Sequence, residues 1–299
     1  MIKEYLIEVF EPSLFFGLLC SLVGFGAAIY YHYTNIYLGI IAIIGIITLQ
    51  IAVNLIDDYV DYKIGLDKET EKTKFSGGSE LVSSGKITTN SILLIAIIAL
   101  LISGIIGLYI LQFLSTVIFW IIVVLILFGG ISVIFYASYF THLPYMSELF
   151  VTVSFALVGL GIFLVMTNNL SNLYSIFLFA CIPSGLQVGV AMIANEMPDK
   201  KADKKYGRKS MVIMLSDAKK ASILYFLFQS IGYVLLCIGI IEKVLPMTFL
   251  VVFALIPFMY IIGKGIKNYK TPKSHEKIMG LNSIISFLYL FLILIAFVA

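Results

Sequence analysis

Two short segments of this chain concentrate carboxylates in a repeated pattern. The first reads Asn54-Leu-Ile-Asp57-Asp58-Tyr-Val-Asp61-Tyr-Lys63, and the second Asn195-Glu196-Met-Pro198-Asp199-Lys-Lys-Ala-Asp203. At 100° per residue, Asn54, Asp58 and Asp61 fall within about 60° of one another on a helix, and Asn195, Asp199 and Asp203 within about 80°. Each set therefore forms one polar stripe. Acids facing one another repel unless a cation lies between them. Mg²⁺ takes oxygen ligands and typically joins one or two carboxylates to phosphate oxygens. The chemistry expected of Asp57, Asp58, Asp61, Asp199 and Asp203 is thus a Mg²⁺ clamp for a diphosphate. One acidic cluster alone would read as helix-end charge meeting water; two clusters with matching Asn-x-x-x-Asp starts carry the signal.

The elements that must hold these stripes are membrane helices. Of 299 residues, 61% are hydrophobic and only 12% charged, with a mean hydropathy of +1.04. A soluble domain is roughly 25% charged, so a soluble enzyme, a nucleic-acid binder and a disordered chain are all excluded. Asp, Glu, Lys and Arg are absent from 12–56, 87–147, 149–195, 221–241, 244–263 and 278–299. A span needs about 20 apolar residues. The longer stretches divide at polar clusters such as His32-Tyr-Thr-Asn35 and Asn168-Asn-Leu-Ser-Asn172. The reading is all-α: nine transmembrane helices in one bundle around a central cavity, near 13–32, 36–60, 90–111, 116–136, 148–168, 173–197, 220–241, 245–265 and 279–298. Residues 1–299 are expected to form a single domain. The first span is too long, and too soon followed by another, to be a cleaved signal peptide.

Chain order puts the N-terminus and loops 61–89, 137–147, 199–219 and 266–278 on one side. All of the 20 Lys and Arg except Lys243 fall on that side. Positive loops stay inside, so the acidic helix ends and the N-terminus are expected to face the cytoplasm, from a protein of the plasma membrane. A carboxylate costs about 2.5–3.5 kcal/mol at a span centre and less at its ends, which suits acids at the boundary. Cys20, Cys181 and Cys237 lie apart within apolar runs and read as packed thiols. Nothing in the sequence sets the oligomeric state.

With these residues in view, the chain resembles the UbiA superfamily of membrane prenyltransferases over nearly its whole length. Asn54 to Asp67 is similar to the first family motif. Pro183-Ser-Gly185-Leu leading into Asn195-x-x-Pro198-Asp199-x-x-x-Asp203-x-x-x-Gly207-Arg208-Lys209-Ser210 is similar to the second. Phe75-Ser-Gly-Gly-Ser79, Ser84-Gly85-Lys-Ile and Glu148-Leu-Phe150 resemble the menaquinone-type (MenA-like) branch. The chain departs from the family pattern at Asp57, usually Asn; at Glu11-Pro12, usually Arg-Pro; at Ser147, usually Gly; and after span four, where only Pro144 remains.

The resemblance implies transfer of a polyprenyl group from a polyprenyl diphosphate to an aromatic acceptor. In the MenA-like branch that acceptor is 1,4-dihydroxy-2-naphthoate, whose carboxyl leaves as CO₂ during menaquinone biosynthesis. Asp58, Asp61, Asp199 and Asp203 would act catalytically through Mg²⁺, which as a Lewis acid stabilises the leaving diphosphate. Asn54 and Asn195 would orient phosphate oxygens or water. Lys63, Lys74, Arg208 and Lys209 are candidate diphosphate contacts, and the planar fork of Arg208 suits phosphate oxygens. Tyr59, Tyr62, Tyr136 and Tyr139 could face the allylic cation, with Tyr139 the chosen substrate contact. Glu148, the only acid between Glu80 and Glu196, would serve the acceptor. Its plainer reading is an acid favoured in the first turn of span five. Other acceptors stay open: 4-hydroxybenzoate, homogentisate or a glycerol phosphate ether lipid precursor. An ion-coupled transporter is the main different class, but no charge lies at the midplane of any span.

Overall fold

The computed structural model describes residues 13–33, 35–70, 73, 87–215 and 217–299. Among them, nine helices are long and apolar enough to cross a membrane, as the sequence predicts for an integral membrane protein. They are α1 (Ser13–Tyr30), α2 (Ile36–Ile64), α3 (Thr89–Leu111), α4 (Thr116–Phe135), α5 (Met146–Thr167), α6 (Leu173–Lys205), α8 (Ala218–Ile241), α9 (Met247–Lys267) and α10 (Pro272–Val298). A short helix, α7 (Met211–Leu215), lies between α6 and α8. The helix starts are set by local chemistry: the side chain of Asn35 accepts from Leu38 N, that of Thr88 from Ser91 N and that of Asp217 from Lys219 N, while Thr271 and Ser274 form a reciprocal capping box. At the far end of α2, Gly65 adopts φ +87°, a left-handed cap that stops the helix.

The helices divide into a packed interior and an outer wall. In α6, 72% of the most apolar window is buried, against 17% in α3 and 22% in α4. Helix α6 lies against α5, α8 and α10, and α1 closes on α5 and α10. Small residues allow this approach. A Cβ on Gly24 would strike the Gly159 backbone, and one on Gly185 would strike the Thr152 carbonyl. Polar pairs cross the interior as well. Gln187 Nε2 donates to Ser286 Oγ at 2.9 Å, and Asn282 Nδ2 to the carbonyls of Ala191 (3.2 Å) and Val190 (3.4 Å). On α4, Val117, Trp120, Val124, Leu127, Ile131 and Ile134 are exposed at helical spacing, the pattern of a lipid-facing stripe.

Two prolines shape α6. Pro183 has no N–H for the Phe179 carbonyl, and the helix widens to a π turn over Phe177–Cys181 just before it. Pro198 leaves the Ala194 carbonyl without its helical donor. His275 of α10 supplies a replacement, with Nε2 at 3.2 Å from that oxygen.

Observed helices run past the sequence boundaries mainly at the acidic side: α2 continues to Ile64, α6 to Lys205, and α10 starts at Pro272. Hydropathy marks where lipid ends. Capping and tertiary contacts decide where a helix ends.

Candidate active site

The two acidic helix ends come together, as expected from their repetition. A cavity of about 170 Å³ is lined by Asp57, Tyr136, Thr141, Ser147, Met192, Asn195, Glu196, Asp199, Asp203, Arg208 and Ser210. Arg208 joins the two helices. Its Nη2 lies 2.5 Å from Asp61 Oδ1 and 3.7 Å from Asp57 Oδ1, both on α2, while Nη1 lies 3.4 Å from Asp203 Oδ1 on α6. Burial opposes its charge, but Asp57, Asp61 and Asp203 more than offset that and hold the guanidinium above its ordinary pKa.

The turn after α6 supplies this geometry. Gly207 adopts φ +85°, and Arg208 N bonds the Asp203 carbonyl at 3.0 Å. Lys209 N then donates to the Thr141 carbonyl (2.8 Å) and Tyr145 N to the Lys209 carbonyl (2.9 Å), tying this segment to the loop before α5. Nearby, Tyr206 Oη donates to the Gly65 carbonyl at 3.1 Å and Lys205 Nζ bonds Glu69 at 2.6 Å, so the ends of α2 and α6 are also fastened outside the cavity.

Several expected residues stand elsewhere. On α2, Asp57 lines the cavity and Asp61 bonds Arg208, which also lines it, whereas the wheel grouped Asp61 with Asn54 and Asp58. Asp58 does not line the cavity. Asn54 points to α1, donating to Ser13 Oγ (2.5 Å) and accepting from Gln50 Nε2 (2.9 Å). Lys63 is exposed, with Nζ 5.1 Å from the Tyr59 ring centroid. The Lys209 side chain is exposed. Tyr139 is 54% exposed and packs on Phe140, whereas Tyr136, one turn earlier, lines the cavity. Burial pushes the Tyr136 phenol far above its ordinary pKa, with Asp57 and Glu196 adding to the effect, so its hydroxyl stays a hydrogen-bond donor. Glu148 is fully buried and accepts from Met211 N (2.8 Å) and Val212 N (3.1 Å). It fastens the start of α7, rather than capping α5 or opening into the cavity. Lys74, Phe75–Ser79, Ser84–Gly85 and Glu11–Pro12 lie outside the described residues.

Glu196 is the acid the motif reading left without a role. On the helical wheel it lies only about 20° from Asp203, so the same stripe already contains it. Its Oε2 is buried without a hydrogen-bond partner, as are Asp57 Oδ1, Asn195 Oδ1 and Arg208 Nε. Unsatisfied buried polar atoms are costly. Here they are of two kinds in one cavity: hard oxygen acceptors, and a guanidinium donor. A cation satisfies only the first, an anion only the second, and a metal-bound phosphate satisfies both. Among the described residues no three His, Cys, Asp or Glu side chains enclose a metal position by themselves.

One turn deeper along the same helices, an apolar cavity of about 240 Å³ is bounded by α2, α3, α4 and α5. Val53 on α2 lies one turn from Asp57, and Ser132 on α4 one turn from Tyr136. Stacked rings flank the junction: Phe150 against Tyr136 (5.9 Å), Phe140 (4.3 Å) and Phe128 (5.4 Å), with Phe128 lining the apolar cavity.

The family model of the UbiA prenyltransferases matches residues 17–294. The chain belongs to the UbiA prenyltransferase family. Solved structures share the fold at low identity. A UbiA homologue from Archaeoglobus fulgidus bound to DMAPP and Mg²⁺ superposes with TM-score 0.67 at 15% identity, covering 97% of this chain and 99% of that one. The apo UbiA homologue from Aeropyrum pernix K1 gives TM-score 0.72 at 14% identity, covering 95% and 97%. A digeranylgeranylglyceryl phosphate synthase structure gives 0.65 at 18%, covering 99% and 98%. A search of curated proteins finds no match by sequence. Within this UbiA-family chain, the polar cavity between the two acidic helix ends and the apolar cavity stand one turn apart on α2 and α4.

Proposed function

We propose that this protein transfers a polyprenyl group from a polyprenyl diphosphate to an aromatic acceptor, with 1,4-dihydroxy-2-naphthoate the acceptor favoured by the MenA-like loop signatures. The observation that carries the reading is the pairing of unsatisfied carboxylate and amide oxygens with an unsatisfied arginine N–H in one cavity, directly above an apolar one. A molecule with a diphosphate head and an isoprenoid tail suits both. The DMAPP and Mg²⁺ held by the Archaeoglobus homologue support the same donor class and metal.

Asp57, Asp61, Asp199 and Asp203 would hold Mg²⁺, with Asp58 behind them. When bound, the metal stabilises negative charge developing on the leaving diphosphate. Arg208 exchanges its carboxylate partners for phosphate oxygens, with Nε the first free donor. Asn195 orients the head group without adding charge. The tail descends between α2, α3, α4 and α5, which brings the allylic carbon level with Tyr136, Phe128 and Phe150. Their faces attract the forming cation and exclude water. Glu196 Oε2 accepts a hydrogen bond from an acceptor hydroxyl, raising ring nucleophilicity. Glu148, tied to α7, positions this wall from behind. The density of Lys and Arg beside the site supports a cytoplasmic orientation in the plasma membrane, with the N-terminus on the same side.

The test is purified protein with geranylgeranyl diphosphate, Mg²⁺ and a panel of acceptors: the naphthoate, 4-hydroxybenzoate, homogentisate and geranylgeranylglyceryl phosphate. Prenylated naphthoate with release of CO₂ is the expected product. A different prenylated acceptor overturns the acceptor assignment. No product from any, together with no stabilisation by diphosphate and Mg²⁺, overturns the whole reading.

A further inference from the structure

The apolar cavity spans Ala42–Val53 on α2, Leu100–Ile110 on α3, Ile122–Ser132 on α4 and Ser154–Val165 on α5. Each stretch covers roughly ten residues, so the cavity runs roughly 15 Å along the helices. An isoprene unit contributes four chain bonds of about 1.5 Å and advances roughly 5 Å when extended. About three units therefore fit in line below the polar site.

Glycines line this space, and they do two kinds of work. A Cβ on Gly45 would meet Ile106, on Gly107 Ile126, on Gly129 Leu49 and on Gly161 Leu125; these positions serve packing between neighbouring helices. At Gly104 on α3 and Gly130 on α4 a Cβ would meet nothing within 4 Å. Glycine weakens a helix interior, and at these two positions no close approach requires it. What it does there is leave the cavity wall bare. Gly130 lies two residues below Ser132 and Gly104 four below Leu100, roughly 3 Å and 6 Å beneath the polar end. These are the levels of the first and second isoprene units.

We propose that Gly104 and Gly130 determine which prenyl chains the site accepts, by keeping the slot between α3 and α4 free of side chains at the levels of the first two isoprene units. The inference rests on the transferase reading and assigns its chain-length selectivity to two positions. A side chain at either one fills the slot while leaving the diphosphate site above it untouched. Dimethylallyl diphosphate, one unit long, reaches the level of Gly130 and stops short of Gly104; geranylgeranyl diphosphate must continue past both glycines.

Gly104→Phe and Gly130→Phe are compared with the wild type and with Gly104→Leu and Gly130→Leu, the milder pair if a Phe variant does not fold. Kinetics use dimethylallyl and geranylgeranyl diphosphate as donors. For the Gly104 variants the kcat/KM ratio of geranylgeranyl to dimethylallyl donor is expected to fall at least about ten-fold, the scale on which pocket shape discriminates apolar groups, with dimethylallyl turnover within about two-fold of wild type; the Gly130 variants, at the level of the first unit, are expected to lose turnover with both donors. Thermal stabilisation by geranylgeranyl diphosphate is expected to disappear while stabilisation by inorganic diphosphate with Mg²⁺ persists. This second readout needs no transfer: a protein that binds both ligands but prenylates nothing refutes the transferase reading and still tests the two glycines. An unchanged donor ratio in folded Gly104 variants, or unchanged geranylgeranyl stabilisation in any folded variant, overturns the proposal.

Discussion

The two helix ends that meet at the polar cavity are supported very differently. The end of α6 is built into the centre of the bundle. Asn282 bonds the Val190 and Ala191 carbonyls, Gln187 bonds Ser286, and His275 supplies the Ala194 carbonyl that Pro198 strands. The end of α2 stands instead on an apolar seam with α3, where Leu55, Ile56, Tyr59 and Tyr62 pack with Ile87, Ile92 and Ala96. Only 33% of the apolar window of α2 is buried, against 72% for α6. Its acids reach the site through Arg208, and its last turn is fastened by the Tyr206 hydroxyl on Gly65. One acidic row is thus cross-linked into the centre of the bundle by polar pairs, and the other stands on an apolar seam with α3 and meets the first through a guanidinium and a turn. Substitutions supporting α6 should register as stability. Substitutions of the acids themselves should register as activity.

The largest effect expected is on activity. Asp57→Ala and Asp199→Ala should each lower prenyl transfer at least about 10²-fold with the fold intact, since each removes charge that complements the metal–diphosphate group; EDTA should do the same. Full activity in Asp57→Ala, with loss confined to Asp199→Ala, would break the symmetry of the two rows. Next comes Arg208→Leu. Removing one partner of a buried ion pair costs about 3–5 kcal/mol; with Asp57 36% exposed, about 2 kcal/mol is the better expectation. The loss should show as a lower thermal midpoint that added Mg²⁺ partly restores, because the metal replaces the missing positive charge. His275→Phe should cost about 1–2 kcal/mol by leaving the Ala194 carbonyl unsatisfied, seen as a lower midpoint that Mg²⁺ does not restore. Tyr206→Phe should be smallest, about 1 kcal/mol, because the Gly65 carbonyl it abandons lies at a helix end near water. A larger loss from Tyr206→Phe than from His275→Phe would reverse this ranking of the two supports.

Much of the fold was legible because charge-free runs and polar breaks are one-dimensional signals. The spans near 116–136 and 173–197 became Thr116–Phe135 and the first part of Leu173–Lys205. The rotation of each helix was not legible. A wheel gives the angle between Asp57 and Asp58, but a helix apolar on every face has no polar side to show which direction is inward. The wheel therefore grouped Asn54, Asp58 and Asp61 in one stripe, whereas among the α2 acids it is Asp57 that lines the cavity. On α6 the wheel already placed Glu196 beside Asp203, and the residue could have been found. Glu148 was visible as an isolated acid, but its partners are backbone N–H groups of Met211 and Val212, far away in sequence and without a residue-type signature. Tyr136 and Tyr139 differ by where α4 stops and the chain turns, which hydropathy does not set.

Arg208 is the chain's only arginine, and it touches both acidic helices. Isotope labelling of arginine side chains would therefore give a single guanidinium resonance with no overlapping neighbours. The protein carries its own spectroscopic reporter at the place where carboxylates of both helices share one cation.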